Sequence, residues 1–121
     1  MRMCWCTVLV KDMEKSLGFY RDVLALGVQR RFTTPEGLEI VFLSDGAMSE
    51  VELIHNPHIP AYEGRGITLG FAVDSIESEM ERFNKLGIEI IKGPIEAGGG
   101  TRFFYVLDPD GLEIQLVQMG K

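Results

Sequence analysis

Residues 10–28, VKDMEKSLGFYRDVLALGV, and residues 73–90, VDSIESEMERFNKLGIEI, read as two versions of one pattern. Each opens on a valine, offers an aspartate as a helix cap, carries apolar residues at helical spacing and stops at a glycine. In the first, Asp12 is the candidate cap, Leu17, Tyr20, Val23 and Leu24 form the apolar stripe, and Gly27 is the stop. In the second, Asp74 is the candidate cap, Glu77 follows three residues on, and Gly87 is the stop. The two align if the second helix and its flanks are three residues shorter. Val10 then falls on Val73, a shift of 63, and the same shift carries Phe42 to Tyr105 and VELI at 51–54 to IQLV at 114–117. One register holding at both ends is the signature of an internal duplication.

Outward from the helices the rest is strand-like. MCWCTVLVKD (3–12) precedes the first helix, and VQRRF, LEIVFL and EVELI follow it. HNPHIPAYEGRG, with two prolines and two glycines, reads as a connector. GITLGFAV then precedes the second helix, and IEIIK, TRFFYVL and LEIQLVQ follow. The order βαβββ, βαβββ predicts an α+β fold in one domain: module 1 over 1–56, connector 57–65, module 2 over 66–121. The two modules are expected to form a curved mixed sheet around a cleft, with helices outside. On the first strand, Trp5, Thr7 and Leu9 share one face, whereas Cys4, Cys6, Val8 and Val10 share the other. That second face is small and apolar, so it is expected to pack on the helix, with both cysteines as buried small hydrophobes. Trp5 then faces the cleft, and parity with the 63-residue shift adds Phe42 and Glu52 from module 1 and Thr68, Phe103, Tyr105 and Gln115 from module 2.

Composition narrows the function classes. Twelve Lys and Arg against 18 Asp and Glu give a net charge of -6, with no basic run, which disfavours nucleic acid and an anionic membrane surface as partners. No apolar stretch approaches the roughly 20 residues of a membrane span, and the first residues lack signal-peptide regions. A cytoplasmic protein is expected. Cys4 and Cys6 are too close on one strand face for a mutual disulfide and lack CxxC spacing. In GPIEAGGGTR (93–102) the glycine run has neither GxGxxG nor a P-loop lysine, and suggests a flexible flap rather than a phosphate cradle.

Paired βαβββ modules, VKDMEKSLGFYRDVLALGV near the start and DPDGLEIQLV near the end together resemble the vicinal oxygen chelate superfamily, which includes glyoxalase I, bleomycin-resistance proteins and extradiol dioxygenases. The resemblance implies metal ligands on the first and fourth strands of each module, typically His or Gln and Glu. Here those positions hold Trp5, Glu52, Thr68 and Gln115. Indole nitrogen has no free lone pair, so Trp5 cannot coordinate a metal; Glu52 is the one strong ligand of the four. No cofactor is therefore expected, and a divalent metal (Zn, Ni, Mn or Fe) is disfavoured. His55 is one residue out of phase with Glu52, and His58 lies in the connector; His55 through a bulge, or Glu113 in place of Gln115, is the remaining route to a metal site.

A carboxylate in an apolar cleft needs compensation. Glu52 could pair with Arg65 or Arg102, bind a cationic ligand group, or act as a general base with a raised pKa. The leading expectation is a small-molecule-binding protein of bleomycin-resistance type with a degenerate metal site. Trp5, Phe42, Phe103 and Tyr105 would be its aromatic walls, and Glu52, Thr68 and Gln115 its polar anchors. The alternative is a glyoxalase I-like lyase or isomerase with Glu52 as base. A third class is a partner-binding module with a filled cleft. The resemblance also implies a homodimer.

Overall fold

In the computed structural model, residues 1–121 are described apart from Met48, Tyr62, Arg65 and Lys121. Two units divide the chain, Met1–Glu63 and Gly64–Lys121, and each is taken by itself.

The first unit runs β1 (Trp5–Leu9), α1 (Met13–Leu17), a stretch of wider π-helical winding (Gly18–Val23), β2 (Gly27–Thr33), β3 (Glu39–Ser44) and β4 (Glu50–His55). Its sheet has the order β1-β4-β3-β2, with β1 parallel to β4 and the other pairs antiparallel. The second runs β5 (Thr68–Ala72), α2 (Ile76–Lys85), β6 (Lys92–Glu96), a short 3-10 turn at Gly98–Gly100, β7 (Arg102–Leu107) and β8 (Glu113–Gln118). Its sheet order, β5-β8-β7-β6, repeats the first, again with one parallel pair, β5 and β8. Strands β1, β3 and β4 map onto β5, β7 and β8 by the same 63-residue shift at both ends of each strand. The duplicated α+β architecture read from the sequence is the one present.

Alternation sets the core of each unit. In the first, Val8, Val41, Leu43, Val51 and Leu53 are buried on the sheet face that takes Met13, Leu17 and Tyr20 from the helical segment. In the second, Phe104, Val106, Ile114 and Leu116 lie beneath Ile76 and Phe83 of α2, with the Phe83 and Phe104 rings edge to face at 5.7 Å. Arg102 of β7 is bonded to Glu77 and lies 3.4 Å from Glu96, and its hydrogen bond holds the Glu77 carboxyl below the usual carboxylate range.

Several local expectations are corrected. Asp12 caps α1, accepting from the Lys15 N–H at 3.1 Å, but the α-helix ends at Leu17 instead of continuing past Leu24. Phe19 and Tyr20 are adjacent and both buried, and π winding brings neighbouring positions closer to one face than an α turn does. The segment ends with the Leu24 N–H on the Phe19 carbonyl and with Ala25, not Gly27, at positive φ. The cap of α2 is Ser75 rather than Asp74: its Oγ accepts from the Ser78 N–H at 3.2 Å. IEIIK is not a strand as a whole, because Ile88 donates back to Phe83 at the helix exit and pairing begins only near Ile91. Much of the supposed flap is β6 itself, Lys92–Glu96, leaving the glycines to the turn. Cys4 is exposed and Cys6 half-buried, since Cys4 precedes β1 and Cys6 lies near the start of that strand, at an edge of the sheet. Among the described residues no helix is long and apolar enough to cross a membrane.

Candidate functional site

The sheet face away from the helix carries the candidate residues in both units. In the first, strand register lines up Arg30, Phe42, Glu52 and Thr7 as one row across β2, β3, β4 and β1. Pairing neighbours in a row bring side chains within contact distance. Glu52 is only 9% exposed, and the Thr7 hydroxyl donates to its Oε1 at 2.5 Å. Trp5 pairs with Glu50, is 43% exposed, and stands edge-on to Phe42 with ring centroids 5.1 Å apart. The Arg30 guanidinium lies over the Phe42 ring, its carbon 3.8 Å from the ring centroid, and its two terminal nitrogens donate to the two Glu50 oxygens at 3.0 Å each.

The second unit repeats the row as Lys92, Tyr105, Gln115 and Gly70. The Lys92 ammonium sits 4.4 Å from the Tyr105 ring centroid, and Gln115 donates from Nε2 to the Tyr105 hydroxyl at 3.2 Å. Phe103 and Tyr105 meet edge to face at 5.7 Å. Thr68 is exposed and donates to Glu113, its partner in register, at 3.1 Å. Where the first unit has Thr7, the second has Gly70, and a Cβ there would meet Gln115 Oε1 at 3.4 Å. The bare backbone makes room for the amide.

Each sheet thus gathers its own share of the expected residues: Trp5, Phe42 and Glu52 on one, Thr68, Phe103, Tyr105 and Gln115 on the other. Of the suggested ion-pair partners for Glu52, Arg102 is instead engaged with Glu77 and Glu96, and Arg65 lies outside the described residues. Glu52 is held by a neutral hydroxyl. Thr7, placed on the Trp5 face by alternation but given no role there, joins Glu50, Arg30 and Lys92 as functional candidates that sequence reasoning did not single out. Parity with Trp5 and Glu52 was enough to find Thr7 and Glu50. Arg30 and Lys92 reach their rows past irregular register in β2 and β6, which no periodicity reveals.

The donors present do not fit a tightly held divalent ion. Indole supplies no lone pair, and Thr68 and Gln115 supply only neutral oxygens. Among the described residues no group of three His, Cys, Asp or Glu side chains comes together. His55 turns Nδ1 to the Val10 carbonyl at 3.2 Å, which fixes the proton on that nitrogen and ties the ring to the end of β1.

A sequence model of the Glyoxalase/Bleomycin resistance protein/Dioxygenase superfamily matches residues 2–116. A protein named probable lactoylglutathione lyase from Synechocystis is 32% identical over 118 residues, covering 92% of this chain and 90% of that protein. Among solved structures, glyoxalase I from Zea mays superposes with a TM-score of 0.83 at 26% identity, over 99% of this chain and 45% of the maize chain. TnmS3, an antibiotic binding protein from a Streptomyces species, superposes with a TM-score of 0.76 at 25% identity, over 98% of this chain and 95% of its own.

Proposed function

We infer function from the premise that this chain belongs to the Glyoxalase/Bleomycin resistance protein/Dioxygenase superfamily, and we propose that it is a small-molecule-binding protein with a degenerate metal site. On the first sheet Trp5 and Phe42 serve as aromatic walls and Glu52 as polar anchor; on the second, Phe103 and Tyr105 serve as walls and Thr68 and Gln115 as anchors. One observation carries the reading. Glu52 is a buried carboxylate beside Phe42 whose partner among the described residues is the Thr7 hydroxyl, with no ion pair, so its charge is left for a cationic group of a ligand. The likeness to TnmS3, named an antibiotic binding protein, supports the same reading.

Trp5 is the single tryptophan, so its emission reports this face alone. In a screen of aromatic and cationic small molecules, binding is expected to quench or shift that emission. Glu52→Gln is expected to weaken cationic ligands about tenfold or more, as loss of a charge-assisted hydrogen bond implies, with neutral ligands nearly unaffected. An emission indifferent to every compound would overturn the proposal in favour of a filled face.

A second reading is supported by the names of the Synechocystis and maize relatives: a lyase or isomerase with Glu52 as general base. Lactoylglutathione lyase activity lost in Glu52→Gln would move it ahead. We also propose that the protein works without a cofactor or a tightly bound Zn, Ni, Mn or Fe ion. Calorimetry is expected to show no stoichiometric tight uptake of zinc or nickel, and a one-to-one isotherm abolished by Glu52→Ala would refute this. The proposed setting is the cytoplasm and the proposed assembly a homodimer, with no nucleic-acid or membrane partner, as the acidic balance supports.

A further inference from the structure

We propose that Arg30 is an internal stand-in for the ligand: Phe42 and Glu50 form a subsite for a planar cation of amidinium or guanidinium type, and Arg30 occupies it in the free protein. The inference rests on the small-molecule reading above and names the ligand chemistry at that site.

The receptor half is well formed. A carboxylate receives a forked pair of hydrogen bonds at 3.0 Å each while an aromatic ring takes the same guanidinium on its face at 3.8 Å. Both contacts select a flat, delocalised cation over a compact ammonium. The Glu50 side chain is 16% exposed and Phe42 5%, whereas the Arg30 side chain is 47% exposed. The occupant therefore lies on the solvent side of the groups that hold it, on the edge strand β2. Rotation of one flexible side chain would uncover both groups without moving the sheet. A ligand cation entering there would also meet Trp5, already packed on Phe42, and Glu52, which among the described residues has no ion pair and lies next along the same face of β4.

Charge decides between this and the opposite assignment, in which Arg30 receives a ligand carboxylate. An anion drawing Arg30 away would leave Glu50 unpaired and sit close to Glu52, setting three negative groups together. A cation replacing Arg30 keeps Glu50 paired and adds attraction to Glu52. The second unit offers no equivalent, because Lys92 is a point charge over Tyr105 and Glu113 is taken by Thr68.

Titration of Trp5 emission with benzamidinium, and with neutral benzamide of nearly the same shape, tests the proposal. Arg30→Ala is expected to bind benzamidinium about tenfold more tightly than the unmodified protein, the order of one exposed ion pair plus one cation–π contact. Arg30→Gln, which keeps a polar side chain but removes the charge, is expected to give the same direction. Arg31→Ala removes the same charge from a residue paired with Glu14 and Glu39, and is expected to change nothing. In Arg30→Ala with Glu50→Gln the gain is expected to vanish, and benzamide should show none in any variant. Unchanged or weaker benzamidinium binding in both Arg30 variants, or an equal gain for benzamide, overturns the inference. The two failures separate cleanly: ligands from the broad screen that bind while the Arg30 variants gain nothing refute only this subsite, whereas no response to any compound in any variant refutes the binding reading itself.

Discussion

Phe104→Ala is expected to lower the unfolding free energy by about 3–5 kcal/mol, the range for truncating a fully buried aromatic side chain. Phe104 has no exposed surface, sits at the centre of β7, and takes the Phe83 ring of α2 edge-on. Truncation removes the apolar burial, the ring pair and the filler between helix and sheet at once, and neighbouring Val106 and Leu116 are strand residues that cannot collapse far into the gap. Denaturant titration should show a lower midpoint with an unchanged slope. A loss below about 1 kcal/mol would mean that α2 is not seated on β7 as described.

Gly93→Ala is expected to be nearly as damaging, at about 4 kcal/mol, for a different reason: it adds atoms instead of removing them. A Cβ at Gly93 would lie 2.8 Å from Phe104 Cβ, 2.9 Å from its Cα and 3.0 Å from the Phe103 carbonyl oxygen, and Gly93 has φ +113, a conformation that side chains rarely adopt. Two of the three atoms are backbone and cannot step aside. Alanine at 104 keeps both its Cα and its Cβ, so Phe104→Ala should not rescue Gly93→Ala. Gly98→Ala is the control. Nothing lies within 4 Å of its Cβ position, and a change of about 0.5 kcal/mol or less is expected there by thermal or denaturant melts.

The fold was legible because duplication let each half check the other. A single strand read by alternation is vulnerable to a one-residue slip, but the shift that places Phe42 on Tyr105 also places every residue of β1, β3 and β4 on β5, β7 and β8. What the pattern could not show was geometry that breaks periodicity. The π stretch at Gly18–Val23 keeps the apolar composition of a helix while changing its winding, so Leu17 and Tyr20 read as α positions either way. The irregular register in β6 hid the strand start at Lys92 behind IEIIK, a run with better β composition. At the candidate site, residue type and parity put Trp5, Phe42 and Glu52 on one sheet face, where the register places them. The Thr7 hydroxyl on Glu52 and the Arg30 fork on Glu50 were invisible, because contacts across strands 20 and 45 residues apart in sequence depend on register that only the folded sheet supplies.

The strand order also dictates a timetable for synthesis. In each unit the strand made last, β4 or β8, is not at an edge but lies between the first strand and the third. On the ribosome, β1 has no hydrogen-bonding neighbour until residues 50–55 emerge, and β5 none until residues 113–118 do. At a typical elongation rate the 63-residue lag is roughly 3–13 s, long enough for the first unit to close its sheet while β5 is still waiting. A nascent chain arrested before β8 would then present a finished sheet followed by an orphaned strand of TLGFA, whose free edge is the part that a chaperone, or another unfinished chain, would find first.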